Sequence, residues 1–410
     1  MTRAPIKVKE LYYITHINNV PSILKLGILP HETMEREGIP FTPIYNAQIV
    51  SKRKSITTPD GRSLWSFANL YFQPRNPMLY RVVFFSPPTN VDDVAVLGLE
   101  MTILNRLDIF ITNGNAASSL SAIMPAREGK KAMSQIGKDI DKEYWTDESG
   151  SKRKIMAECL VPGPISPTLI REIYVANHNV ANKLKEILPS LNLEVIPEPN
   201  MFFQPVKKID LTPMLSLVEG DMFFSRMQTV TVSVNCMGVM GKGLASRAKY
   251  QFPDVYVFYQ DSCRRQRLQM GKPYLYKRES SFDYQLADEP STLEGANSET
   301  LFLLFPTKHN WRYPADIVGI EKGLQWLVEN REKEGITSLA IPALGCGLGR
   351  LEWIDVGPLM CKYLSKLDIP VWIYLPAEKK VATEFLSREF LLAPKEERDR
   401  IIGKDKGAET

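Results

Sequence analysis

The stretch from Val232 to Asp254, VSVNCMGVMGKGLASRAKYQFPD, restricts the fold of the second half of the chain more than any other. It opens as an apolar strand, passes through a turn with three glycines and continues as a helix. Such a turn is a common phosphate-binding arrangement, because the first N–H groups of a helix lack intrahelical partners. The sequence therefore predicts an α/β domain that holds a phosphate-containing ligand.

Two familiar phosphate-binding motifs do not fit this stretch. A Walker A loop requires Ser or Thr directly after its lysine to bind Mg²⁺, but Lys242 is followed by Gly243. The dinucleotide fingerprint requires GxGxxG spacing, which GVMGKG does not have. Neither a P-loop NTPase nor a Rossmann site is favoured.

The region after a proline-containing connector at 196–213 alternates between predicted strands and predicted helices. This alternation indicates a three-layer α/β/α domain, with one sheet between two layers of helices. Asp221, Asn235, Lys308 and a glycine-rich loop at 345–349 all follow predicted strands. Open α/β sheets bind ligands at the carboxyl ends of their strands, so two glycine-rich loops can hold a diphosphate there.

The segments VNCMGVMGKG, FPTKHNW and IPALGCGLGRLEW, in that order, resemble the macrodomain of the DarG antitoxins over about Leu215 to Pro376. The resemblance implies an ADP-ribose ligand, with Asp221 accepting from the adenine amine and Asn235 near the distal ribose. It also implies that Lys308 is the catalytic residue that removes ADP-ribose. The other ligand-binding residues that the resemblance implies are Met222, Gly241, Lys242, Gly243, Thr307, Gly345, Cys346, Gly347, Leu348 and Gly349.

Lys308 can act as a nucleophile if burial or neighbouring cations lower the pKa of its amine. The alternative is a lysine that only binds phosphate. Gly349 stands where a related human hydrolase has an aspartate, so Lys308 lacks that partner, as in the DarG pattern itself.

The first half has a less regular pattern. LYYITHI, LYRVVFFS and IMAECLV are predicted strands, and NVPSILKLG is a predicted short helix. The polar stretch from Asn113 to Lys154 has no strong strand signal and is interpreted as a long functional loop.

Five ordered segments, at 11–30, 49–54, 69–82, 113–116 and 154–165, resemble the DarT family of DNA-modifying ADP-ribosyltransferases over residues 8–204. The resemblance implies an ADP-ribosyltransferase (PARP-like) fold with a split central β-sheet. It also implies NAD⁺ as a substrate and a base in single-stranded DNA as the acceptor.

Glu158 is the catalytic carboxylate by this resemblance. A carboxylate there can stabilise the oxocarbenium-like centre, bind ribose hydroxyls and help to deprotonate the acceptor; a purely structural ion pair or helix cap is the alternative. Thr15, His16 and Asn18 are implied to contact NAD⁺, although a lone histidine is more often part of a core. Arg53 is implied to be catalytic and to hold phosphate or the acceptor base.

The stretch 113–154 is then the substrate-recognition loop. Single-stranded nucleic acid suits cations interleaved with aromatic rings, and a base outside a duplex is easier to modify. The residues concerned are Arg127, Lys130, Lys131, Lys138, Tyr144 and Trp145.

Composition places few further limits on function. The net charge of +4 gives no global sign of nucleic-acid binding. The five cysteines are scattered without a CxxC motif, which favours the cytoplasm and argues against a structural metal. No apolar run reaches eighteen residues and the N-terminus does not match a signal peptide, so neither a membrane span nor secretion is expected.

We therefore expect three parts: a DarT-like domain at 1–205, a DarG-like macrodomain at 206–376 and a helical tail on the surface at 377–410. The hypothesis is a fused toxin–antitoxin enzyme in phage defence, which writes ADP-ribose onto thymine and erases it again. Guanine is the second choice of base, and RNA or protein acceptors remain alternatives. A further alternative is a macrodomain that only binds ADP-ribose and masks the transferase through an intramolecular contact.

Overall fold

The computed structural model describes residues 9–44, 47–85, 90–376 and 379–405. The chain forms two compact units. The first contains residues up to Gln204 together with Asp283–Ala296, and the second contains Pro205–Phe282 together with the residues from Asn297 onward. The segment Asp283–Ala296 therefore belongs to the first unit, although it follows and precedes parts of the second unit in sequence.

The described part of the first unit contains eight strands, seven α-helices before Gln204 and most of an eighth, α10 Phe282–Leu286, which the segment Asp283–Ala296 contributes. The strands are β1 Leu11–His16, β2 Phe67–Tyr71, β3 Val94–Leu99, β4 Phe110–Thr112, β5 Ile123–Pro125, β6 Glu158–Pro162, β7 Ile170–Val175 and β8 Glu194–Pro197. The helices are α1 Val20–Leu26, α2 His31–Glu37, α3 Ala47–Lys54, α4 Pro77–Phe85, α5 Ala126–Ile140, α6 Ser151–Lys154 and α7 His178–Ile187.

The strands of the first unit form one sheet in the order β5-β4-β6-β2-β1-β3-β7-β8. β1 pairs with β3 along its whole length but with β2 at a single position, Tyr12 opposite Tyr71. The sheet therefore divides between β1 and β2 into two halves. The predicted split sheet of a PARP-like fold is confirmed, and the division opens a space beside the end of β1.

Close packing of helices fixes the half of the sheet that carries β4 and β6. A Cβ atom at Gly129 in α5 would lie 2.4 Å from the Cβ of Ile111 in β4, so only glycine permits this approach. Ile136 and Ile140 of α5 and Cys159 and Val161 of β6 belong to the same buried apolar cluster. Burial of this face anchors β6, whose first residue is Glu158.

Two sequence-based predictions for the first unit are wrong. The predicted strand LYRVVFFS reaches beyond the described residues, and its described part, 79–85, lies in α4 and not in a strand. Asn76 accepts a hydrogen bond from the N–H of Leu79 at 3.0 Å, and Pro77 takes the first helical position. A short, almost wholly apolar run does not separate helix from strand by periodicity. The stretch 113–154 is not one long loop, since it contains β5, α5 and α6.

The described part of the second unit contains seven strands. They are β9 Lys207–Asp210, β10 Leu215–Glu219, β11 Thr229–Asn235, β12 Tyr274–Arg278, β13 Thr300–Lys308, β14 Leu339–Pro342 and β15 Val371–Tyr374. The helices from Gly243 onward are α8 Gly243–Gln251, α9 Pro253–Arg264, α10 Phe282–Leu286, α11 Ile317–Asn330, α12 Trp353–Leu364, α13 Arg388–Leu392 and α14 Lys395–Asp405.

The sheet of the second unit has the order β12-β13-β11-β14-β15-β10-β9. Its five inner strands run parallel, and the two edge strands are antiparallel to their neighbours. Successive residues of β13 face opposite layers. Leu303 and Phe305 pack in the cluster of α11 and α12, whereas the ring centroid of Phe302 lies 5.0 Å from that of Phe252, just before α9. The predicted α/β/α layering is confirmed.

The segment Thr383–Leu392 packs into the second unit, whereas the sequence predicts a helical tail on the surface. Leu386, Phe390 and Leu391 are buried in the same apolar cluster as α12, and the indole Nε1 of Trp353 donates to the carbonyl of Phe385 at 2.9 Å. The sequence shows amphipathic character here but does not tell which surface would receive the apolar face. Among the described residues, none forms a helix long and apolar enough to cross a bilayer.

Replacing Phe390, which is 0% exposed, with alanine is expected to lower the free energy of unfolding by about 3–5 kcal/mol, because it leaves a cavity beside α12. Chemical denaturation of the full chain measures the change. Glu389→Ala, at the neighbouring exposed position, is the control and should change stability by less than about 0.5 kcal/mol. Equal stability of both variants would contradict the packing of the tail.

Candidate active sites

The first candidate site is a cavity of about 260 Å³ in the first unit, beside the division of its sheet. Thr15 lines it from the end of β1, and Asn69 and Tyr71 line it from β2. Lys52 and Arg53 line it from α3. Further parts of the wall come from α1, α2, α4, the loop before α3, the turn Leu64–Ser66, the residues near Asn115, Met156 and the segment Asp283–Ala296.

Glu158 is completely buried next to this cavity, at the start of β6. Its two carboxylate oxygens accept from the guanidinium of Arg53, at 2.9 Å from Nη2 and 3.4 Å from Nη1. The N–H of Ala116 donates to Oε1 at 2.8 Å, and the N–H of Glu158 donates to the hydroxyl of Thr112 at 2.9 Å. A carboxylate taken out of water is thus compensated by one cation and a backbone donor.

The environment of Arg53 and Glu158 shifts the ionisation of its neighbours. Burial opposes the charge of Arg53, but the carboxylate of Glu158 outweighs it and the pKa of the guanidinium is raised. Tyr71 faces Glu158 in the β2–β6 pairing, and burial together with that negative charge raises the pKa of its hydroxyl well above the ordinary value. The tyrosine therefore stays neutral and can only donate or accept hydrogen bonds at this position.

The predicted NAD⁺-contacting residues do not all line the cavity. Thr15 and Arg53 do, but His16 and Asn18 are not part of its wall. The Nδ1 atom of His16 accepts from the N–H of Asn18 at 3.1 Å and caps the short turn after β1. Burial lowers the pKa of His16, so its ring is held in the neutral state that this cap requires.

Three further residues of the wall were not found by sequence reasoning. Asn19 donates through Nδ2 to the hydroxyl of Thr15 at 3.2 Å and joins the end of β1 to the loop before α3. The ring of His31 stacks on Trp65, with centroids 4.5 Å apart. Burial and the charge of Arg53 lower the pKa of His31 to about 4, so a neutral, flat surface faces the cavity. Asn19 lies inside the matched segment 11–30, whereas the only sequence signal for His31 and Trp65 is proximity to matched segments.

The cations expected in the substrate-recognition stretch lie on the exposed side of α5. These are Arg127, Lys130, Lys131 and Lys138. Trp145 is not available to stack on a base, because it is 0% exposed and its Nε1 donates to the carbonyl of Leu286 at 3.0 Å. That part of the expectation is wrong: the ring belongs to the interior of the first unit. Tyr144 is half-buried.

The second candidate site lies at the carboxyl ends of the parallel strands in the second unit. Lys308 ends β13 and pairs with Asn235, which ends β11. The Nζ atom of Lys308 donates to the carbonyl of Leu348 at 3.2 Å. Burial, and secondly the charge of Arg350, lower the pKa of the Lys308 amine. This increases the fraction of the neutral, nucleophilic amine near neutral pH.

Asn235 holds the loop between β11 and α8 in shape. Its Nδ2 donates to the carbonyl of Val239 at 2.6 Å, while its Oδ1 accepts from the N–H of Met237 at 2.9 Å and from the hydroxyl of Tyr259 at 3.0 Å. The side chain is 7% exposed. The structure therefore gives Asn235 a positioning role, next to Lys308.

The two glycine-rich loops approach each other beside Lys308. A Cβ atom at Gly243, the first residue of α8, would lie 3.4 Å from Cδ1 of Leu348. Lys242 immediately precedes α8, so the N-terminal turn of that helix faces the 345–349 loop. The other predicted ligand-binding residues of these loops are Gly241, Gly345, Cys346 and Gly347, while Thr307 precedes Lys308 in β13.

Gly349 cannot carry a side chain in this loop. A Cβ atom there would lie 2.4 Å from the carbonyl oxygen of Gly345 and 2.9 Å from the Cβ of Ala315. Gly345 itself has φ +75°, a conformation that favours glycine. The loop thus excludes an aspartate beside Lys308 by its backbone geometry, in agreement with the departure seen in the sequence.

Asp221 and Met222 lie beyond the end of β10, at the same edge of the sheet. Asp221 caps a short turn by accepting from the N–H of Phe223 at 3.2 Å, and its other oxygen pairs with Arg247 of α8 at 2.9 Å. Met222 is 4% exposed. The carboxylate of Asp221 is therefore already paired with the N–H of Phe223 and with Arg247. Among the described residues, no group of three or more His, Cys, Asp or Glu side chains is placed to hold a metal ion.

Comparison with known proteins bears on both units. The model of the family described as DarT, ssDNA thymidine ADP-ribosyltransferase, matches residues 12–203. Over 386 residues the chain is 58% identical to the DNA ADP-ribosyl transferase–DNA ADP-ribosyl glycohydrolase fusion protein of Thermosipho africanus, which covers 94% of this chain and 99% of that protein.

A solved structure supports the same relationship. Thermosipho africanus DarTG in complex with ADP-ribose matches with a TM-score of 0.88 and 58% identity, over 94% of this chain and 100% of that one. The DNA ADP-ribosyl glycohydrolase of Thermus aquaticus is 33% identical over 171 residues, which are 41% of this chain and 43% of that protein.

The resemblance to DarT and DarG that the sequence motifs indicated is confirmed. The chain belongs to the family of DNA ADP-ribosyl transferase–DNA ADP-ribosyl glycohydrolase fusion proteins.

Proposed function

We propose that this chain transfers ADP-ribose from NAD⁺ to thymine in single-stranded DNA and also removes it again. The observation that carries the proposal is the presence of two opposed reactive groups on one chain. Glu158 is a buried carboxylate next to a cavity, and Lys308 is an amine with a lowered pKa between two glycine-rich loops. The first suits the stabilisation of positive charge and the second suits nucleophilic attack.

NAD⁺ is proposed to bind in the cavity of the first unit. Thr15, Asn19 and Arg53 supply polar contacts on its wall, and the stacked rings of His31 and Trp65 supply a flat surface. His16 and Asn18 act through the turn that shapes the end of β1. No metal ion takes part in the proposed reaction.

In the proposed transfer, the bond between nicotinamide and C1′ of the ribose breaks and nicotinamide leaves with the bonding electron pair. Positive charge develops at C1′ and is stabilised by the carboxylate of Glu158, which is shielded from water. A ring nitrogen of the base then forms the new bond to C1′ and loses its proton to a carboxylate oxygen. The bidentate contact with Arg53 holds the carboxylate correctly oriented until the substrates are in place.

Thymine is proposed as the acceptor because the matching family model is described as a thymidine ADP-ribosyltransferase. Guanine is the alternative base. Oligonucleotides that lack one or the other base separate the two.

In the proposed removal step, the neutral amine of Lys308 attacks C1′ of the ADP-ribosyl group. The base leaves with the electron pair of the bond and takes a proton. Opening of the ribose ring allows a Schiff base on Lys308, which water hydrolyses to free ADP-ribose and the free lysine. The 241–243 turn and the 345–349 loop are proposed to hold the diphosphate through backbone N–H groups, and Asp221 and Met222 the adenine.

We also propose that the chain has three parts, at 1–205, 206–376 and 377–410. Its proposed role is that of a toxin–antitoxin enzyme in phage defence, located in the cytoplasm. All five cysteines are free thiols, which supports a reducing compartment.

Glu158→Gln, in a full chain that also carries Lys308→Ala, should lower the rate of DNA modification by about a thousandfold, because the amide cannot stabilise positive charge. Labelled single-stranded oligonucleotides with NAD⁺ provide the measurement. Glu172→Gln, on β7, is the control and should leave the rate unchanged. A similar rate for Glu158→Gln would remove Glu158 from the mechanism.

Arg53→Lys keeps the positive charge but cannot make the bidentate contact with Glu158. Transfer should fall by more than tenfold, whereas binding of NAD⁺ should be partly retained. If calorimetry shows that binding is lost in parallel with transfer, Arg53 holds NAD⁺ rather than the carboxylate and the acceptor.

Lys308→Ala should abolish release of ADP-ribose from modified DNA while binding of ADP-ribose persists. Borohydride should trap an adduct on Lys308 of the unaltered chain and none on the variant, as mass spectrometry of peptides would detect. Lys333→Ala, at an exposed lysine elsewhere in the second unit, is the control and should still allow release. Normal turnover by Lys308→Ala would reduce the lysine to a ligand.

The rate of ADP-ribose release should rise with pH as Lys308 loses its proton and should level off below the ordinary pKa of lysine, because that pKa is lowered. Arg350→Gln removes one of the causes, so the plateau should move to higher pH. An unchanged pH profile in Arg350→Gln would show that the titrating group is not Lys308.

A further inference from the structure

The segment Asp283–Ala296 belongs to the first unit, although the chain reaches it from β12 and leaves it toward β13. The sequence pattern identifies this part of the chain only as a polar excursion between two strands. In the structure it is an integral part of the unit that contains Glu158 and Arg53. The segment is therefore placed where it can influence the transfer reaction.

Buried contacts anchor the beginning of this segment. The hydroxyl of Tyr80 donates to Oδ1 of Asp283 at 2.9 Å, and Asp283 is 0% exposed. Leu286 is 1% exposed, and its carbonyl accepts from Nε1 of Trp145 at 3.0 Å. Lys152, itself 7% exposed, donates to the carbonyl of Tyr284 at 3.0 Å. Such contacts are those of a fitted surface rather than of a solvated loop.

The middle of the segment reaches the wall of the cavity. Asp288 and Glu289 both line it, next to Lys52, Arg53 and Arg81. A carboxylate oxygen of Glu289 pairs with Nζ of Lys52 at 3.2 Å.

Arg81 is occupied by the backbone of the same segment. Its Nη1 donates to the carbonyls of Asp288 and Glu289, both at 3.0 Å, and its Nη2 donates to the carbonyl of Thr292 at 3.3 Å. The arginine is 6% exposed, and burial lowers the pKa of its guanidinium. A fork of guanidinium donors around three oxygen acceptors is also the arrangement that suits a phosphate group.

A DNA strand whose base reaches Glu158 must bring its phosphates to the mouth of the cavity. The cations that would neutralise those phosphates there, Lys52 and Arg81, are already bound to the segment. Two carboxylates, Asp288 and Glu289, add negative charge at the same place and would repel a polyanion. The segment and the strand therefore compete for one surface.

We propose that the surface formed by Lys52, Arg81 and Lys152 binds single-stranded DNA during transfer and is covered at rest by the segment Asp283–Ala296 of the same chain. The inference rests on the proposed function of the first unit. Release of the segment exposes the acceptor surface, and its return closes that surface. Control of the transferase then lies partly in this segment and not only in the removal of ADP-ribose by Lys308.

Alternatively, the segment Asp283–Ala296 stays in place permanently. Asp288 and Glu289 then complete the NAD⁺ pocket and are needed for transfer. The two roles make opposite predictions. A cover restrains DNA binding and its loss increases activity, whereas a permanent wall supports NAD⁺ binding and its loss decreases activity.

The test uses the full chain with Glu158→Gln and Lys308→Ala, so that neither reaction interferes, and measures binding of a fluorescent single-stranded oligonucleotide by anisotropy. Asp288→Asn with Glu289→Gln removes the negative charge, and Leu286→Asp disrupts the anchor. Glu294→Gln, an exposed carboxylate of the same segment, is the matched control. The same segment variants with Glu158 intact and Lys308→Ala report transfer from NAD⁺, and calorimetry reports NAD⁺ binding.

Both segment variants should bind the oligonucleotide about tenfold more tightly, and Glu294→Gln should not. For Leu286→Asp, the slope of the logarithm of the DNA-binding constant against the logarithm of the salt concentration should become more negative by about 1.4. The reason is that Lys52 and Arg81 each become free to neutralise a phosphate. Transfer should rise in parallel.

Unchanged DNA binding in both variants, or a loss of NAD⁺ binding and transfer, would overturn the cover. Tighter DNA binding without any transfer in the Glu158-intact chains would instead keep the cover and refute the proposed function of the first unit.

Discussion

The buried ion pair between Glu158 and Arg53 is the constraint on which the first unit depends. A carboxylate that is 0% exposed must be compensated where it stands, and its loss of a partner would cost about 3–5 kcal/mol. Compensation requires α3, β6 and the N–H of Ala116 to converge on one point. The division of the sheet between β1 and β2 leaves the cavity open beside that point. The same contacts that compensate the buried carboxylate of Glu158 therefore also hold it beside the cavity.

In the second unit the surroundings of Lys308 disfavour the charged form of its side chain. Lys308 has no carboxylate within its described hydrogen bonds and donates only to a carbonyl, that of Leu348. Burial and the charge of Arg350 destabilise the charged form of Lys308, whereas the carboxylate of Glu158 is paired with the guanidinium of Arg53. The absence of space for a Cβ at Gly349 maintains this condition, because it keeps an acidic side chain out of the loop. The proposed charge-stabilising site and the proposed nucleophilic site therefore have contrasting surroundings on one chain.

The sequence was most informative where a residue's role follows from local pattern. Strand ends and glycine-rich turns predicted the layers of the second unit and the position of Lys308, and alternation around Glu158 predicted β6. Prediction failed where partners are distant in sequence. LYRVVFF is helical because of Asn76 and Pro77, and Trp145 is buried because Leu286 comes from a remote segment of the sequence. Local periodicity does not predict contacts between segments that are distant in sequence. For the same reason, the positions of Asp288 and Glu289 at the cavity were not predicted.

The central claim is that one chain both attaches ADP-ribose to DNA and removes it. Its most direct test is the balance of products when the unaltered chain is given NAD⁺ and single-stranded DNA. The account predicts that nicotinamide and free ADP-ribose accumulate in equal amounts, only when DNA is present, while the amount of modified DNA stays low. Consumption of NAD⁺ without DNA, or modified DNA that accumulates in step with nicotinamide, would contradict it.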